Sequence, residues 1–417
     1  MHSPFLFFHA IGITICAAMA DQSLTLEQAV KRAQQNNPGF RVLESEIEAA
    51  EGSKGSAAAR PNPNLTVGPG IKHASGAGSE SSFHGELALE QTFEFPRKRS
   101  LRVLLADGDI QLRKLAQEGF AQELRIEVRR AFFRALAAGQ VAALRIEQVQ
   151  SAQTFLQAAR KRVEGGYASD FESMKAQADL IAARKALGEA ASEVSQSKLR
   201  LSALMGSLSD TAFSLEGKLD ASTFTSRAVD PVGMALAQNP AVKTRTLLVE
   251  ISQRNIRAAD LVLKPDLSVA PSLEYTRDEQ IYGLSLSLPI PVWNRGKGEV
   301  RKANGEYRAA QAELEKVKQE VTLSVKEAQE KVRLSEAQLA LYTPEFLDGL
   351  KSIMQRAEKV YGQSSTTLLI YLESKRSYFE SLSDYYEALS AWTESHIDLE
   401  AAVGFPMDAD TDKNGVK

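Results

Sequence analysis

Phe83-His84-Gly85-Glu86-Leu87-Ala88-Leu89-Glu90-Gln91-Thr92-Phe93-Glu94-Phe95-Pro96-Arg97-Lys98-Arg99 is the stretch that decides the fold. Phe83, Leu87, Leu89, Phe93 and Phe95 share one parity, and His84, Glu86, Glu90, Thr92 and Glu94 share the other. Side chains of a strand point alternately to opposite faces, so the pattern predicts a strand over about 83–95 with one apolar and one acidic face. Pro96 removes a backbone donor and ends the ladder, and the basic run Arg97-Lys98-Arg99 opens a segment with no proline before Pro231. A helix over 97–164 would be on the order of 100 Å long at about 1.5 Å per residue, far longer than a globular domain needs.

Upstream, Leu24-Thr25-Leu26-Glu27 reads as a helix start capped by Thr25, and Asn36-Asn37-Pro38 interrupts the helix. A second helix, about 39–59, ends at Arg60-Pro61-Asn62-Pro63, and a strand follows over about 64–71, with Leu65, Val67 and Ile71 on one parity. The same order returns at a constant offset of 202 residues: Ala33, Asn37, Pro38, Arg41, Pro63, Leu65 and Val67 meet Ala235, Asn239, Pro240, Lys243, Pro265, Leu267 and Val269. The chain is an internal duplication. Its second half predicts strands over about 266–275 and 282–292, where Leu267, Val269, Leu273 and Tyr275 oppose Ser268, Ala270, Ser272 and Glu274. Pro289 and Pro291 stand where Pro96 stood.

After each proline corner the residues favour helix, over about 97–164 and about 298–361, with Thr343-Pro344 expected to kink or split the second. Gly165-Gly166 and Gly362 break the two patterns, return helices follow, and Leu201 to Gly206 and Leu399 to Gly404 close the halves alike. From Val141 to Val163 apolar residues keep mostly three-to-four spacing, which marks a packing stripe that needs neighbours. The expected organisation is a leader over 1–20, repeats over 21–220 and 221–405, and a tail over 406–417.

With 50 basic and 53 acidic side chains the net charge is −3, which gives no global preference for nucleic acid or anionic lipid. The apolar run Phe5 to Ala18 followed by Ala18-Met19-Ala20 reads as a secretory signal cleaved before Asp21. Cys16, the single cysteine, would leave with it; Thr14-Ile15 before it do not suit lipidation. No later segment offers about 18 consecutive apolar residues, so a helical span is not expected, whereas an exported chain can still enter a membrane as a β-barrel.

Four strands of about ten residues suit an outer membrane but cannot close a barrel, and an open edge in lipid leaves backbone groups unpaired. Three copies would supply twelve strands. The plan resembles the TolC family of outer-membrane efflux proteins. The residues that carry the resemblance are Leu24-Thr25-Leu26-Glu27-Gln28-Ala29 through Asn37-Pro38, Gln91 to Arg99, and Leu288-Pro289-Ile290-Pro291-Val292-Trp293-Asn294. Phe-Glu-Phe-Pro before a basic run looks like the heavy-metal branch of that family. The resemblance implies a mainly α protomer with a membrane β part, a duplicated helix–strand–strand–long-helix–helix plan, and a homotrimer. That trimer would form a twelve-stranded β-barrel in outer-membrane lipid, continued by an α-helical barrel in the periplasm. It further implies a passive duct for small toxic solutes, joined through a periplasmic adaptor (membrane fusion protein) to an inner-membrane RND-type pump. The tip that meets the adaptor maps onto Arg162, Gly166 and Ser169 and onto Tyr361, Gly362 and Ser365. Where relatives carry acidic entrance residues this chain has Leu368 and Tyr371, which implies an entrance constriction of another character.

Glu86, Glu90 and Glu94 on one strand face would repeat in a trimer and favour cations in the lumen, although barrel interiors are polar in any case. His73, His84 and His396 are the histidines beyond the leader and lie far apart, so no metal site is expected. Asp410 to Gly415 copies half a calcium loop and lacks its closing Glu. No nucleophile elbow, phosphate loop or catalytic carboxylate pair is present, so neither an enzyme nor a cofactor is expected. Two alternatives remain at this level: a duct for type I protein secretion, and a soluble periplasmic coiled-coil adaptor. The second would leave Phe93 and Phe95 facing water.

Overall fold

Alternating segments pair into one antiparallel sheet, and periodic segments form helices that repeat one plan twice. The computed structural model describes residues 22–73, 81–208, 212–217, 219, 230–276, 279–363 and 368–404. The expected leader 1–20 with Cys16, the tip residue Ser365, and the tail 406–417 lie outside the described residues. The first copy runs β1 (Gln22–Leu24), α1 (Leu26–Asn36), α2 (Pro38–Ala58), β2 (Asn64–His73), β3 (Ser81–Phe93), α3 (Lys98–Glu164) and α4 (Asp170–Leu204). The second runs β4 (Phe213–Leu215), α5 (Pro231–Gln238), α6 (Pro240–Val262), β5 (Leu267–Thr276), β6 (Gln280–Ser287), α7 (Lys297–Leu339), α8 (Pro344–Gly362) and α9 (Leu368–Val403).

The expected second long helix is two helices. Thr343 has extended backbone and its hydroxyl accepts from the N–H of Phe346 at 3.2 Å. Pro344 therefore starts α8, where its missing donor costs nothing. The first long helix is continuous over 67 residues, about 100 Å. It ends in a Schellman motif: Tyr167 N–H donates to Arg162 C=O at 2.8 Å and Gly166 N–H to Val163 C=O at 3.0 Å, with Gly166 at φ 77°.

The four long strands pair in the order β2-β3-β5-β6, all antiparallel. The junction between the copies is the β3–β5 ladder, with Phe93 opposite Leu267 and Glu86 opposite Glu274. β3 stops at Phe93, two residues short of expectation. The N–H of Phe95 donates to Asp266 Oδ1 at 2.7 Å instead of to a strand. β6 stops at Ser287, because Pro289 and Pro291 offer no N–H to a ladder.

Below the sheet the helices bury their stripes against one another. Leu24, Ala29, Val128, Phe132, Leu201, Phe213 and Ile397 form one core, which collects β1, α1, α3, α4, β4 and α9. Its counterpart, Ala235, Val242, Val321, Val325, Leu399 and Val403, unites α5, α6, α7 and α9. β1 and β4 pair in parallel over three residues and fasten the start of the chain to the link between the copies. Among the described residues no helix is long and apolar enough to cross a membrane, which says nothing about the sheet.

Candidate functional site

Three places bring functional side chains together: the sheet, its proline-side end, and the hairpin tip. On the sheet, Leu65, Val67, Ile71, Phe83, Leu87, Leu89, Phe93, Tyr282, Leu284 and Leu286 are exposed large apolar side chains, most of them over 50% accessible. A soluble surface would not carry such a patch. His84, Glu86, Glu90 and Glu274, on the other face, are half-buried. Phe83 and Phe93 bracket the apolar face. The ten residue steps between them span about 33 Å along a strand and, tilted by about 40°, about 25 Å of height, the apolar band of an outer-membrane barrel. Both outer edges, of β2 and of β6, lack a strand partner among the described residues.

Glu86 and Glu90 stand on the polar face as expected, but Glu94 does not join them. It lies beyond the ladder, where Arg102 of α3 holds both its oxygens, Nη1 at 2.5 Å and Nη2 at 3.2 Å. Its charge is thereby compensated, and the carboxylates on the polar face of the ladder are Glu86 and Glu90 on β3 with Glu274 across from Glu86. Glu274 was legible in the sequence as a polar-parity residue of its own strand. Its pairing with Glu86 was not legible, because register between segments far apart in sequence is a tertiary property.

The corner beneath the sheet is a type II turn. Lys98 N–H donates to Phe95 C=O at 3.2 Å, and Arg97 sits at φ 80°, the one described residue other than glycine with positive φ. Asp266 accepts from the Phe95 N–H and from Lys98 Nζ at 2.9 Å. Burial alone would raise the Asp266 carboxyl, but these hydrogen bonds and the Lys98 charge hold it below the usual range. The corner is thus tied to the start of β5.

At the other end of the helices, α3, α4, α8 and α9 enclose an aromatic knot of Phe155, Tyr361 and Tyr371. The Tyr361 and Tyr371 rings stack at 5.2 Å, and Phe155 packs against both. Tyr361 donates to Glu172 at 2.8 Å, while Arg162 donates to the Tyr361 carbonyl at 3.1 Å and lies over its ring at 4.7 Å. Burial, reinforced by Glu172, pushes the Tyr361 phenol well above its ordinary range. Lys375, 4% exposed, meets Asp179 at 2.6 Å. Burial raises the nearby Glu358 carboxyl, against the pull of Lys375.

Arg162 and Tyr361 are therefore brought into contact although 199 residues apart, and Gly166 and Ser169 form the turn beside them. Ser169 has extended backbone and precedes α4 without a side-chain cap, and Gly362 ends α8. Leu368 is half-buried against the knot, but Tyr371 is 1% exposed inside it. Tyr371 is thus not a surface side chain. Leu369 and Ile370 are the exposed neighbours. Phe155, Glu172, Asp179 and Lys375 were not singled out from sequence, since each sits on an ordinary helical stripe and acquires its partner only in the packed bundle. Among the described residues no cluster of three metal-ligating side chains occurs.

The family model described as Outer membrane efflux protein matches residues 29–207 and 232–405, once per copy of the plan. Cobalt-zinc-cadmium resistance protein CzcC of Cupriavidus metallidurans is 25% identical over 361 residues, covering 85% of this chain and 84% of CzcC. Nickel-cobalt-cadmium resistance protein NccC of Alcaligenes xylosoxydans xylosoxydans is 25% identical over 330 residues, covering 78% and 72%. Among solved structures, CusC superposes with a TM-score of 0.78 at 16% identity, covering 91% of this chain and 92% of CusC. The outer-membrane channel OprN gives 0.77 at 16% identity, covering 92% and 90%. The open state of the Neisseria gonorrhoeae MtrE outer membrane channel gives 0.76 at 17%, covering 93% and 90%.

Proposed function

This chain belongs to the outer membrane efflux protein family, and on that premise we propose that it is the passive exit duct of a tripartite system that expels divalent heavy-metal cations. It is an outer-membrane efflux channel with a periplasmic helical extension. The observation that carries the mechanism is the open sheet with an exposed apolar face, a polar opposite face and two unpaired edges. In lipid those edges must be paired. β2 and β6 run antiparallel at the two edges, so β6 of one copy continues into β2 of the next, and three copies close a twelve-stranded barrel. The metal cargo is supported by the resistance named for CzcC and NccC.

A channel of this kind does no work on its cargo, so the system requires an inner-membrane RND-type pump and a periplasmic adaptor. We place the adaptor contact at the hairpin tip, at Arg162, Gly166, Ser169, Gly362 and Ser365, with Tyr361, 1% exposed in the knot, supporting that surface from beneath rather than meeting the partner itself. The entrance constriction is assigned to Leu368 with the exposed Leu369 and Ile370. Glu86, Glu90 and Glu274 line the lumen and favour cations.

Planar-bilayer recording with the detergent-purified oligomer, its mass determined beforehand, tests the reading. A trimer giving discrete conductance steps, with a cation preference that falls in Glu86→Gln/Glu274→Gln, is the expected result. A monomer that stays soluble without detergent and never inserts would overturn it.

A further inference from the structure

We propose that the proline-side end of the sheet carries a basic collar that binds the phosphates of anionic phospholipids in the periplasmic leaflet of the outer membrane. The inference rests on the membrane reading above, and it adds a partner surface that the duct itself does not require.

All four strand ends on this side carry exposed cations. Arg60 precedes β2, Arg97 and Arg99 follow β3, Lys264 precedes β5, and Arg295 and Lys297 follow β6. The strand ends lie at one level, because Phe93 pairs with Leu267, Ser268 with Ser287 and Asn64 with Glu90, and Gly296, between Arg295 and Lys297, packs against Leu263 beside Lys264. Side-chain bonds lock them together: Arg102 reaches Glu94 and the carbonyls of Ala57 and Ala59, and Lys98 reaches Asp266. The carboxylates Glu94 and Asp266 are consumed by Arg102 and Lys98. The six outer cations make no ion pair with another described residue, and Asp260 and Glu299 are the exposed carboxylates within four residues of them in sequence. A chain with net charge −3 thus concentrates positive charge at one level. The sequence that joins β2 to β3, residues 74–80, and β5 to β6, residues 277–279, contains Glu80, Arg277, Asp278 and Glu279 and has no such excess of cations.

A second, independent observation comes from the backbone. Arg97 occupies the third position of the type II turn at φ 80°, where glycine would be free of strain. A cation is held there against the conformational preference of the turn, which points to a use for its charge. The occupant is set by continuity. The collar lies directly beyond Phe93 at the end of the apolar band, and Leu288, Ile290, Val292 and Trp293 carry exposed apolar surface down to Arg295. Side chains at that depth meet headgroups, and guanidinium groups pair with phosphate oxygens in bidentate fashion.

The test uses the detergent-purified trimer and native mass spectrometry with phosphatidylglycerol or phosphatidylcholine of matched chains at equal mole fraction. The variants are Arg60→Gln/Arg99→Gln/Arg295→Gln/Lys297→Gln in the collar and Lys175→Gln/Arg184→Gln/Lys185→Gln on the exposed face of α4. One basic side chain near an anionic surface contributes about five-fold in partition. The wild type and the α4 variant should therefore retain phosphatidylglycerol at least about tenfold over phosphatidylcholine at low salt, with the preference shrinking as salt rises. The collar variant should lose the preference while keeping the same conductance steps. A conducting wild type with no preference, or a collar variant that keeps it, overturns the collar and leaves the duct intact. So does a collar variant that keeps the lipid preference and loses binding to isolated peptidoglycan sacculi. Failure of the wild type to conduct strikes the duct reading, a separate outcome.

Discussion

The side-chain amide of Asn239 donates to the backbone carbonyl of Ala402 over 3.1 Å, and its oxygen accepts from Ala241 N–H at 2.9 Å. Asn37 makes the same two bonds in the first copy, to Leu204 C=O at 3.3 Å and from Gly39 N–H at 2.9 Å. One residue caps a helix start and closes the far end of its own copy. Asn239→Ala should cost about 2 kcal/mol, one part lost cap and one part lost hydrogen bond. Asn239→Asp, which keeps the cap, should cost about half as much, and thermal unfolding of the detergent-solubilised protein reads both.

Two glycines with left-handed backbone should respond differently to alanine. At Gly206, φ 79°, an added Cβ would lie 2.7 Å from the Asn36 carbonyl oxygen, whereas at Gly166, φ 77°, it would meet nothing within 4 Å. Gly166→Ala should cost only the left-handed conformation, about 1 kcal/mol. Gly206→Ala adds a backbone clash and should cost clearly more, with a lower melting temperature as the readout. Equal effects would sink the packing argument.

Arg129 of α3 and Glu400 of α9 form a pair at 3.4 Å with side chains 4% and 3% exposed. Glu400→Ala should destabilise by about 3–5 kcal/mol, because it takes the carboxylate partner from a buried guanidinium. Arg129→Met/Glu400→Leu should recover much of that loss. A double-mutant cycle on unfolding midpoints measures the difference.

Burial, followed by Glu147, pushes the Tyr378 hydroxyl up to about 12, and burial raises Tyr371 as well. A folded pKa above the unfolded value near 10 means that the unfolded chain releases its proton first. The stabilisation is complete below about pH 10 and is lost as pH rises towards 12. The melting temperature should therefore fall above pH 10, and Tyr378→Phe should flatten that fall while leaving the neutral-pH value little changed.

Rigidity at the tip depends on Arg162, which touches both the carbonyl and the ring of Tyr361. Arg162→Ala should speed amide exchange around Gly165 to Ser169, whereas Tyr361→Phe removes only the bond to Glu172 and should have the smaller effect. Hydrogen exchange followed by mass spectrometry distinguishes the two. An effect of Tyr361→Phe at least as large as that of Arg162→Ala would argue against this account.

Local chemistry made much of this protein legible. Period-two alternation from Phe83 to Phe93, proline corners at Pro96 and Pro289, the break at Gly165-Gly166 and the recurrence of Asn37-Pro38 as Asn239-Pro240 all act within a few residues of themselves. They fix the elements and the duplication, and with them a sheet that cannot close alone. Tertiary structure decided the remainder. It set β3 against β5 and so faced Glu86 with Glu274, drew Glu94 out of the ladder onto Arg102, and turned Tyr371 into the knot with Phe155 and Tyr361. The reason is physical: alternation and helical period say which face of an element is apolar, but the partner of that face can lie as far off in sequence as Glu400 lies from Arg129 and is chosen by packing.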